Sequence, residues 1–253
     1  MTNKLFSILL ILSLVKLSSC SDSARAKKTE NPSADVALMQ IDSVTESTSS
    51  NTKKNPLDFL PESFVLFEKV LGDLNKDGLE DCILVVKGTQ KEMIIQDEYL
   101  GELDRNRRGI IILIHNKDGY ELALKNINCF ASEHEDGGAY YAPELSVYVR
   151  KRNLYVSYEH GKYGSWSYTF RAKDADFELI GYDASESNGP VIYAETSINF
   201  LSKKKIVKKN TNREAEEEGM EVFEETLTKI NTAKRIKLSE IKDFDALQEI
   251  VLD

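Results

Sequence analysis

Histidine and cysteine are scarce in this 253-residue sequence, which contains three of each. The three histidines, His115, His134 and His160, are widely separated, whereas a protein zinc site usually combines closely spaced ligands or two histidines on one element. The sequence also lacks the Gly-x-Ser-x-Gly turn of serine hydrolases and a phosphate-binding glycine loop. These absences argue against the common metalloenzymes, serine hydrolases and nucleotide-binding enzymes.

A pair of carboxylates is the remaining route to catalysis. Glu133, Glu135 and Asp136 lie close together in the sequence, and two carboxylates can act as general acid and general base. A loop rich in acidic residues is more often simply solvated. We therefore expect a protein that is not an enzyme.

Positive charge is in short supply as well. The 33 Lys and Arg residues against 42 Asp and Glu residues give a formal net charge of -9. An acidic protein is a poor candidate for binding nucleic acid or anionic lipid by charge, and a fair candidate for binding a basic protein or a cation. We expect no nucleic-acid partner.

Long hydrophobic runs are absent except near the N-terminus, where Lys4 precedes an apolar run over residues 5–15 and the sequence Leu17-Ser18-Ser19-Cys20 follows. The run is too short to span the ~30 Å hydrocarbon core of a bilayer as a stable helix. Small residues before a cysteine resemble the lipobox of bacterial lipoproteins. This resemblance implies that residues 1–19 are a signal peptide and that Cys20 is lipidated. A secretory signal with an incidental cysteine is the alternative.

The lipoprotein resemblance also implies a location. Loss of residues 1–19, which carry Lys4 and Lys16 and no acid, lowers the formal net charge from -9 to -11. The lipid would be the only membrane anchor of a cell-envelope protein. Ser21 stands where lipoproteins kept in the inner membrane are expected to have Asp, which favours the outer membrane and a domain that faces the periplasm.

Residues 20–56 are predicted to be a lipidated cysteine followed by a disordered tether. From residue 21 they are rich in Ser, Thr, Asn, Lys and Glu and contain no aromatic residue. Such a composition cannot bury enough apolar surface to offset the conformational entropy of an ordered chain. We therefore place a single β-rich domain over residues 57–253.

Short runs of β-branched and aromatic residues alternate with turn residues from Leu57 onward, which predicts a mainly β, antiparallel fold of about ten strands. The sheets are expected to be propeller-like or meandering. Residues 220–230 fit the period of a helix or a strand, and we favour a strand that pairs with 196–207. A short helix is predicted over 239–251. The other predicted strands are 64–70, 82–87, 109–115, 120–124, 145–150, 154–160, 166–172 and 176–181.

Cys82 and Cys129 remain if Cys20 is lipidated. Two cysteines in an oxidising compartment can form a disulfide. Both lie among apolar residues, so two buried free thiols are the equally reasonable alternative. The spacing of the two residues does not decide between these possibilities.

The sequence Gly72-Asp73-Leu74-Asn75-Lys76-Asp77-Gly78-Leu79-Glu80-Asp81 is the strongest internal motif. Oxygen ligands at alternate positions around a glycine suit Ca²⁺, and position 12, where an EF-hand has a bidentate Glu, is Leu84. An acidic turn with no ion is the alternative, since Asn, Asp and Gly favour turns for local reasons. A bound ion would be structural. The expected ligands are the side chains of Asp73, Asn75, Asp77 and Asp81 and the carbonyl of Leu79.

This loop resembles the calcium loops of FG-GAP and integrin-type β-propeller repeats, although it occurs once. A wider resemblance is to periplasmic bacterial lipoproteins that act as effector-immunity proteins or as inhibitors of peptidoglycan hydrolases and lysozymes. It rests on the order of segments 72–81, 137–143, 166–171 and 177–181. It implies a propeller-like fold, bound calcium and inhibition through exposed loops. Residues 139–142 depart from the family pattern.

Two loops that mix aromatic and flexible residues, 133–143 and 159–166, are candidate partner-binding segments. Their exposed side chains would be Tyr140, Tyr141, His160 and Tyr163. One hypothesis is an envelope lipoprotein that binds and inhibits a basic cell-wall hydrolase, since opposite charges favour that encounter. The other is a non-enzymatic structural or assembly lipoprotein with a calcium-stabilised domain.

Overall fold

Antiparallel sheets account for most of the chain in the computed structural model, which describes residues 51–134, 142–231 and 235–252. The mainly β prediction with a short C-terminal helix is confirmed. Thirteen strands and one α-helix follow one another in the described residues. They are β1 (Phe64–Gly72), β2 (Asp81–Gly88), β3 (Ile94–Asp97), β4 (Gly101–Asp104), β5 (Arg108–Asn116), β6 (Gly119–Phe130), β7 (Glu144–Arg150), β8 (Asn153–Glu159), β9 (Gly164–Lys173), β10 (Asp176–Asn188), β11 (Val191–Asn199), β12 (Lys204–Asn210), β13 (Phe223–Lys229) and α1 (Phe244–Leu252).

The first sheet has the order β1-β2-β5-β6. Its central strands, β2 and β5, are continuous apolar runs, and a run of this kind suits a strand buried on both faces. One face points into the main core, and the other is covered by the 3-10 helix Pro56–Phe59 and the residues that follow it. The N-terminal part of the domain is therefore part of the packing of this sheet.

The second sheet is a seven-stranded meander in which β7 to β13 lie side by side in sequence order. Alternation decides which face each residue joins: in β8, Leu154, Val156 and Tyr158 are buried in the core, so Tyr155 and Ser157 point to the opposite face. We call that opposite face the open face. Because the connections are mostly short, successive strands pair as hairpins.

The core lies between the two sheets and is closed by α1. Phe244 of α1 contacts Phe130, with ring centroids 5.0 Å apart, and Tyr168, at 5.2 Å. The edges of the two sheets also meet, because Gly72 at the end of β1 leaves room for Val149 of β7: a Cβ on residue 72 would lie 2.5 Å from the Val149 Cβ. The two sheets therefore share one core and are also in contact at one pair of edge strands, β1 and β7.

The structure adds detail to the predicted strands. Residues 220–230 form β13, which pairs with β12 as expected. The fold follows the meandering alternative, with four-, seven- and two-stranded sheets. The β3–β4 hairpin has no counterpart in the prediction, because its apolar residues are only Ile94, Ile95 and Leu103, of which Leu103 alone is buried. Its two strands are among the thirteen observed, compared with about ten predicted.

The ordered contacts begin before residue 57. Lys53 exchanges two backbone hydrogen bonds with Tyr120, at 2.9 and 2.8 Å. The chain therefore enters the domain beside the β5–β6 turn. The predicted signal peptide, Cys20 and the tether up to residue 50 lie outside the described residues.

Candidate functional site

The predicted calcium loop connects β1 to β2, and its polar side chains bond to its own backbone. Asp73 Oδ1 accepts the Lys76 N–H at 2.6 Å, and Asn75 Oδ1 accepts the Asp77 N–H at 3.0 Å. Asp77 Oδ1 accepts the N–H of Leu79 at 2.8 Å. Gly78 follows with a φ of +87°, which a glycine adopts without steric cost. These bonds give the loop a defined shape.

Asp81, the last predicted ligand, differs from the other predicted ligands because it is fully buried. Its Oδ2 accepts the Leu74 N–H at 2.7 Å and its Oδ1 accepts the His115 N–H at 3.0 Å. Burial raises the pKa of Asp81, although the two backbone hydrogen bonds act in the opposite direction. Asp81 therefore joins the loop to the end of β5.

The donor set only partly fits a calcium ion. Carboxylate oxygens have several lone pairs, so one accepted hydrogen bond leaves each of them able to bind a cation. Within residues 51–134, 142–231 and 235–252, however, no three His, Cys, Asp or Glu side chains are grouped closely enough to hold a metal ion. The calcium site with Asp73, Asn75, Asp77, Leu79 and Asp81 therefore stays a prediction.

The two cysteines of the domain are free thiols. Cys82 packs with Leu84 and Val86 beneath the N-terminal segment, whereas Cys129 belongs to the main core. The four-stranded sheet separates the two thiols, which excludes the possible disulfide in this fold. Burial raises the pKa of Cys82 to about 11 and that of Cys129 to about 12, so both stay protonated at neutral pH.

Two of the four predicted partner-binding residues are described. His160 and Tyr163 lie in the β8–β9 turn with ring centroids 5.1 Å apart, and both are half-buried. The Lys162 carbonyl accepts the Gly189 N–H at 3.0 Å, which fixes this turn against the β10–β11 turn. Tyr140 and Tyr141 lie outside the described residues.

A polar groove of about 470 Å³ crosses the open face next to this turn. Strand pairing places Ser157, Ser167, Asp183 and Ser197 in one row across β8 to β11. Ser157 Oγ donates to Ser167 Oγ at 2.9 Å, and Ser197 Oγ donates to Asp183 Oδ1 at 2.6 Å. Glu159 and Glu195 add two more carboxylates to the lining, and Lys208 in the lining pairs with Glu195. The groove thus presents hydroxyl groups and negative charge.

An ion-pair cluster joins Lys87, Asp104 and Glu133. Lys87 Nζ is 2.8 Å from Asp104 Oδ2 and 2.6 Å from Glu133 Oε2. Burial alone would raise the pKa of Asp104, but hydrogen bonds from Lys87 and Asn106 outweigh burial and lower it to about 2. Glu133, a candidate acid/base in the sequence, is therefore paired with a cation. Glu135 and Asp136 lie outside the described residues.

Charge differs between the two ends of the seven-stranded sheet. The end with the turns 159–164 and 188–191 and the segment 211–222 carries most of the acids, and we call it the acidic end. Its described acids are Glu144, Glu159, Glu186, Glu214, Glu216, Glu217, Glu218 and Glu221. The opposite end, with the turns 150–153, 173–176 and 199–204, is the basic end. Its described cations are Arg150, Lys151, Arg152, Lys173, Lys203, Lys204, Lys205 and Lys229.

Comparison with known proteins adds no relative. The sequence matches no family model, and no curated protein or solved structure matches it. In the described part of the chain, no helix has the length and apolar character needed to cross a membrane.

Proposed function

We propose that this protein is a lipid-anchored envelope protein that binds a basic partner protein, such as a peptidoglycan hydrolase or lysozyme, and inhibits it. The observation that supports the proposal is the concentration of carboxylates at one end of the seven-stranded sheet, together with a groove on the open face that is lined by Glu159, Asp183 and Glu195. A field of one sign steers an oppositely charged partner toward the surface that produces it.

The groove supplies the contact surface for this role. Asp183 and Glu159 are exposed in or beside it, while Glu195 is paired with Lys208 at 3.0 Å. Serine hydroxyls between the carboxylates are donors and acceptors that suit a Lys or Arg side chain and its backbone. The aromatic pair of His160 and Tyr163 flanks the groove, and aromatic residues contribute strongly at protein interfaces.

An inhibition assay tests the proposal. Residues 20–253 with Cys20→Ser, which prevents lipidation, are titrated into a basic lysozyme acting on peptidoglycan. We expect dose-dependent inhibition that weakens about tenfold in the double variant Glu159→Gln and Asp183→Asn, since two exposed charges are removed.

The matched control removes two exposed carboxylates elsewhere, with Glu98→Gln and Asp118→Asn. Equal loss in both double variants would attribute the effect to net charge and reject the groove as the contact surface. Binding without inhibition would favour the structural or assembly role instead. No binding to the lysozyme or to a panel of basic peptidoglycan hydrolases would overturn the proposal.

A further inference from the structure

The basic end combines positive charge from three turns and from the end of β13. Its acids are Asp174, Asp176 and Glu178, of which Glu178 lies 3.0 Å from Lys173 and 3.3 Å from Arg235. The acidic loop 73–81 adjoins the β7–β8 turn, where Arg152 lies 3.8 Å from Asp73. The lysines of the β11–β12 turn and of β13 therefore form a basic patch on the β11–β13 side of this end, at the opposite side of the sheet from the acidic loop.

Two of these lysines face each other directly. Lys204 and Lys229 are cross-strand partners in the β12–β13 ladder, and both are exposed. Like charges at directly opposite positions destabilise a sheet. An anion bound between or above the two ammonium groups would remove that repulsion, so the arrangement favours an anionic ligand.

An exposed apolar residue projects from the same turn. Leu201 is 59% exposed, and two hydrogen bonds hold the turn that carries it. The Phe200 N–H donates to the Ile180 carbonyl at 3.0 Å, and the Ser202 N–H donates to Asn199 Oδ1 at 2.8 Å. An apolar side chain held among lysines matches a lipid interface, where apolar burial and attraction to anionic headgroups add together.

The chain also enters the domain at this end. β1 and β5 run in the same direction because both are antiparallel to β2, so the β5–β6 turn lies at the same end as Gly72. Gly72 approaches Val149, next to the β7–β8 turn of the basic end. Lys53, bonded to Tyr120 at the β5–β6 turn, therefore lies at the end of the molecule that carries the lysines.

We propose that the basic end docks on the anionic phospholipid headgroups of the membrane that holds the lipid anchor, with Leu201 inserted between them. The acidic end, with its groove, then points away from the membrane. This inference goes beyond the partner-binding function and uses only the proposed lipid anchor. It also revises the expectation from net charge, because most acids of the seven-stranded sheet lie at one end and a patch of lysines lies at the other.

Vesicle sedimentation tests the inference with residues 20–253 carrying Cys20→Ser, a form that retains every contact described above and has no lipid. The vesicles are phosphatidylcholine alone or phosphatidylcholine with about one third phosphatidylglycerol. We expect binding only to the anionic vesicles and at low salt. Each lysine near an anionic surface contributes about fivefold to partitioning, so the triple variant Lys203→Gln, Lys204→Gln and Lys229→Gln should bind about 100-fold more weakly.

The control variant removes the same number of positive charges at three exposed lysines away from the basic end, with Lys91→Gln, Lys125→Gln and Lys209→Gln. Leu201→Ser should weaken binding without altering its salt dependence. Equal loss in both triple variants, or equal binding to neutral vesicles, would overturn the proposal. Full competition by a soluble polyphosphate, with Leu201→Ser behaving as the parent chain, would assign the surface to a soluble polyanion and equally reject membrane docking.

Thermal unfolding separates a docking defect from a folding defect. Lys229→Gln removes one of the two opposed charges, so its midpoint should be unchanged or raised while its affinity for anionic vesicles falls. A lowered midpoint together with lost binding would attribute the loss to the fold and count against the docking surface. Inhibition of the lysozyme in solution should be the same for the triple variant and the parent chain, so the two proposals can fail independently.

Discussion

Replacing Asp81 with asparagine tests what the loop between β1 and β2 requires. Both carboxylate oxygens accept buried backbone N–H groups, from Leu74 at 2.7 Å and from His115 at 3.0 Å. Asparagine keeps one acceptor oxygen and places an NH₂ group against the other N–H. The substitution therefore removes one hydrogen bond to a charged group and leaves a buried donor without an acceptor.

Two opposing effects set the size of the stability change in Asp81→Asn. The lost charged hydrogen bond and the unpaired donor cost about 1.5–3 kcal/mol or more. Asparagine also avoids burying a charge, and the raised pKa of Asp81 shows that burial of the carboxylate is unfavourable. The hydrogen-bond loss should win, because two N–H groups converge on this side chain, and we expect a net destabilisation of about 1–3 kcal/mol.

Urea unfolding in calcium and in chelator measures this cost and tests the ion at the same time. A site filled at 100 times its Kd stabilises the folded chain by ~2.7 kcal/mol. A purely hydrogen-bonding Asp81 gives the same deficit in both buffers, whereas a ligating Asp81 gives a larger deficit in calcium. Asp118→Asn, at an exposed residue outside the loop, is the matched control. A cost near zero in both buffers would refute the hydrogen-bond reasoning.

The pH dependence provides a further check on Asp81. Its folded pKa lies above the usual value of 3.8, so the folded chain takes up the proton first as the pH falls. The contribution of Asp81 to stability is therefore largest below pH 3.8 and declines as the pH rises through its folded pKa. The deficit of Asp81→Asn should widen on acidification across that window.

Three other outcomes follow from the packing and the charges. Phe244→Ala should cost about 3–5 kcal/mol in urea unfolding, because one ring contacts both sheets; a loss below about 1 kcal/mol would show that α1 is dispensable to the core. The Asp104 contribution should be present above pH 3.8 and decline as the pH falls toward 2, so Asp104→Asn should flatten the acid limb of the stability curve, and an unchanged limb would exclude the Lys87 pairing. Cys82 and Cys129 should react with a thiol reagent only after unfolding, and reducing agent should leave the unfolding midpoint unchanged; fast labelling of the native chain would contradict their burial.

Local sequence patterns were sufficient to predict most of the strands. Runs such as those of β2 and β5 combine apolar residues with turn residues at their ends. Between β5 and β6 stands Asp118-Gly119, a residue pair that favours a tight hairpin turn. The ambiguous 220–230 segment also became a strand, because β12 offers a free edge for it. The β3–β4 hairpin lacks a periodic apolar signal, so no local rule could find it.

The groove and the charge segregation depended on pairing that no single segment reveals. Ser157, Ser167, Asp183 and Ser197 lie in four strands, and only the register places them in one row. Their sequence signal is the polar half of each alternation, which usually marks a solvated face. The Lys87 pair with Asp104 and Glu133 likewise joins residues far apart in the chain, so composition could not indicate it.

The order of the strands along the chain has a kinetic consequence. Strands β7 to β13 each pair with the next in sequence, so each pairing closes only a short loop, and low contact order favours rapid formation of such hairpins. The core between the sheets depends instead on contacts between residues far apart in the sequence. Phe244 contacts Phe130, Tyr158, Tyr168 and Phe170. During synthesis the hairpins can form early, whereas the shared core closes only when α1 has emerged. A chain held before that point keeps the core-facing side of both sheets exposed, and such an apolar surface favours association between incomplete chains.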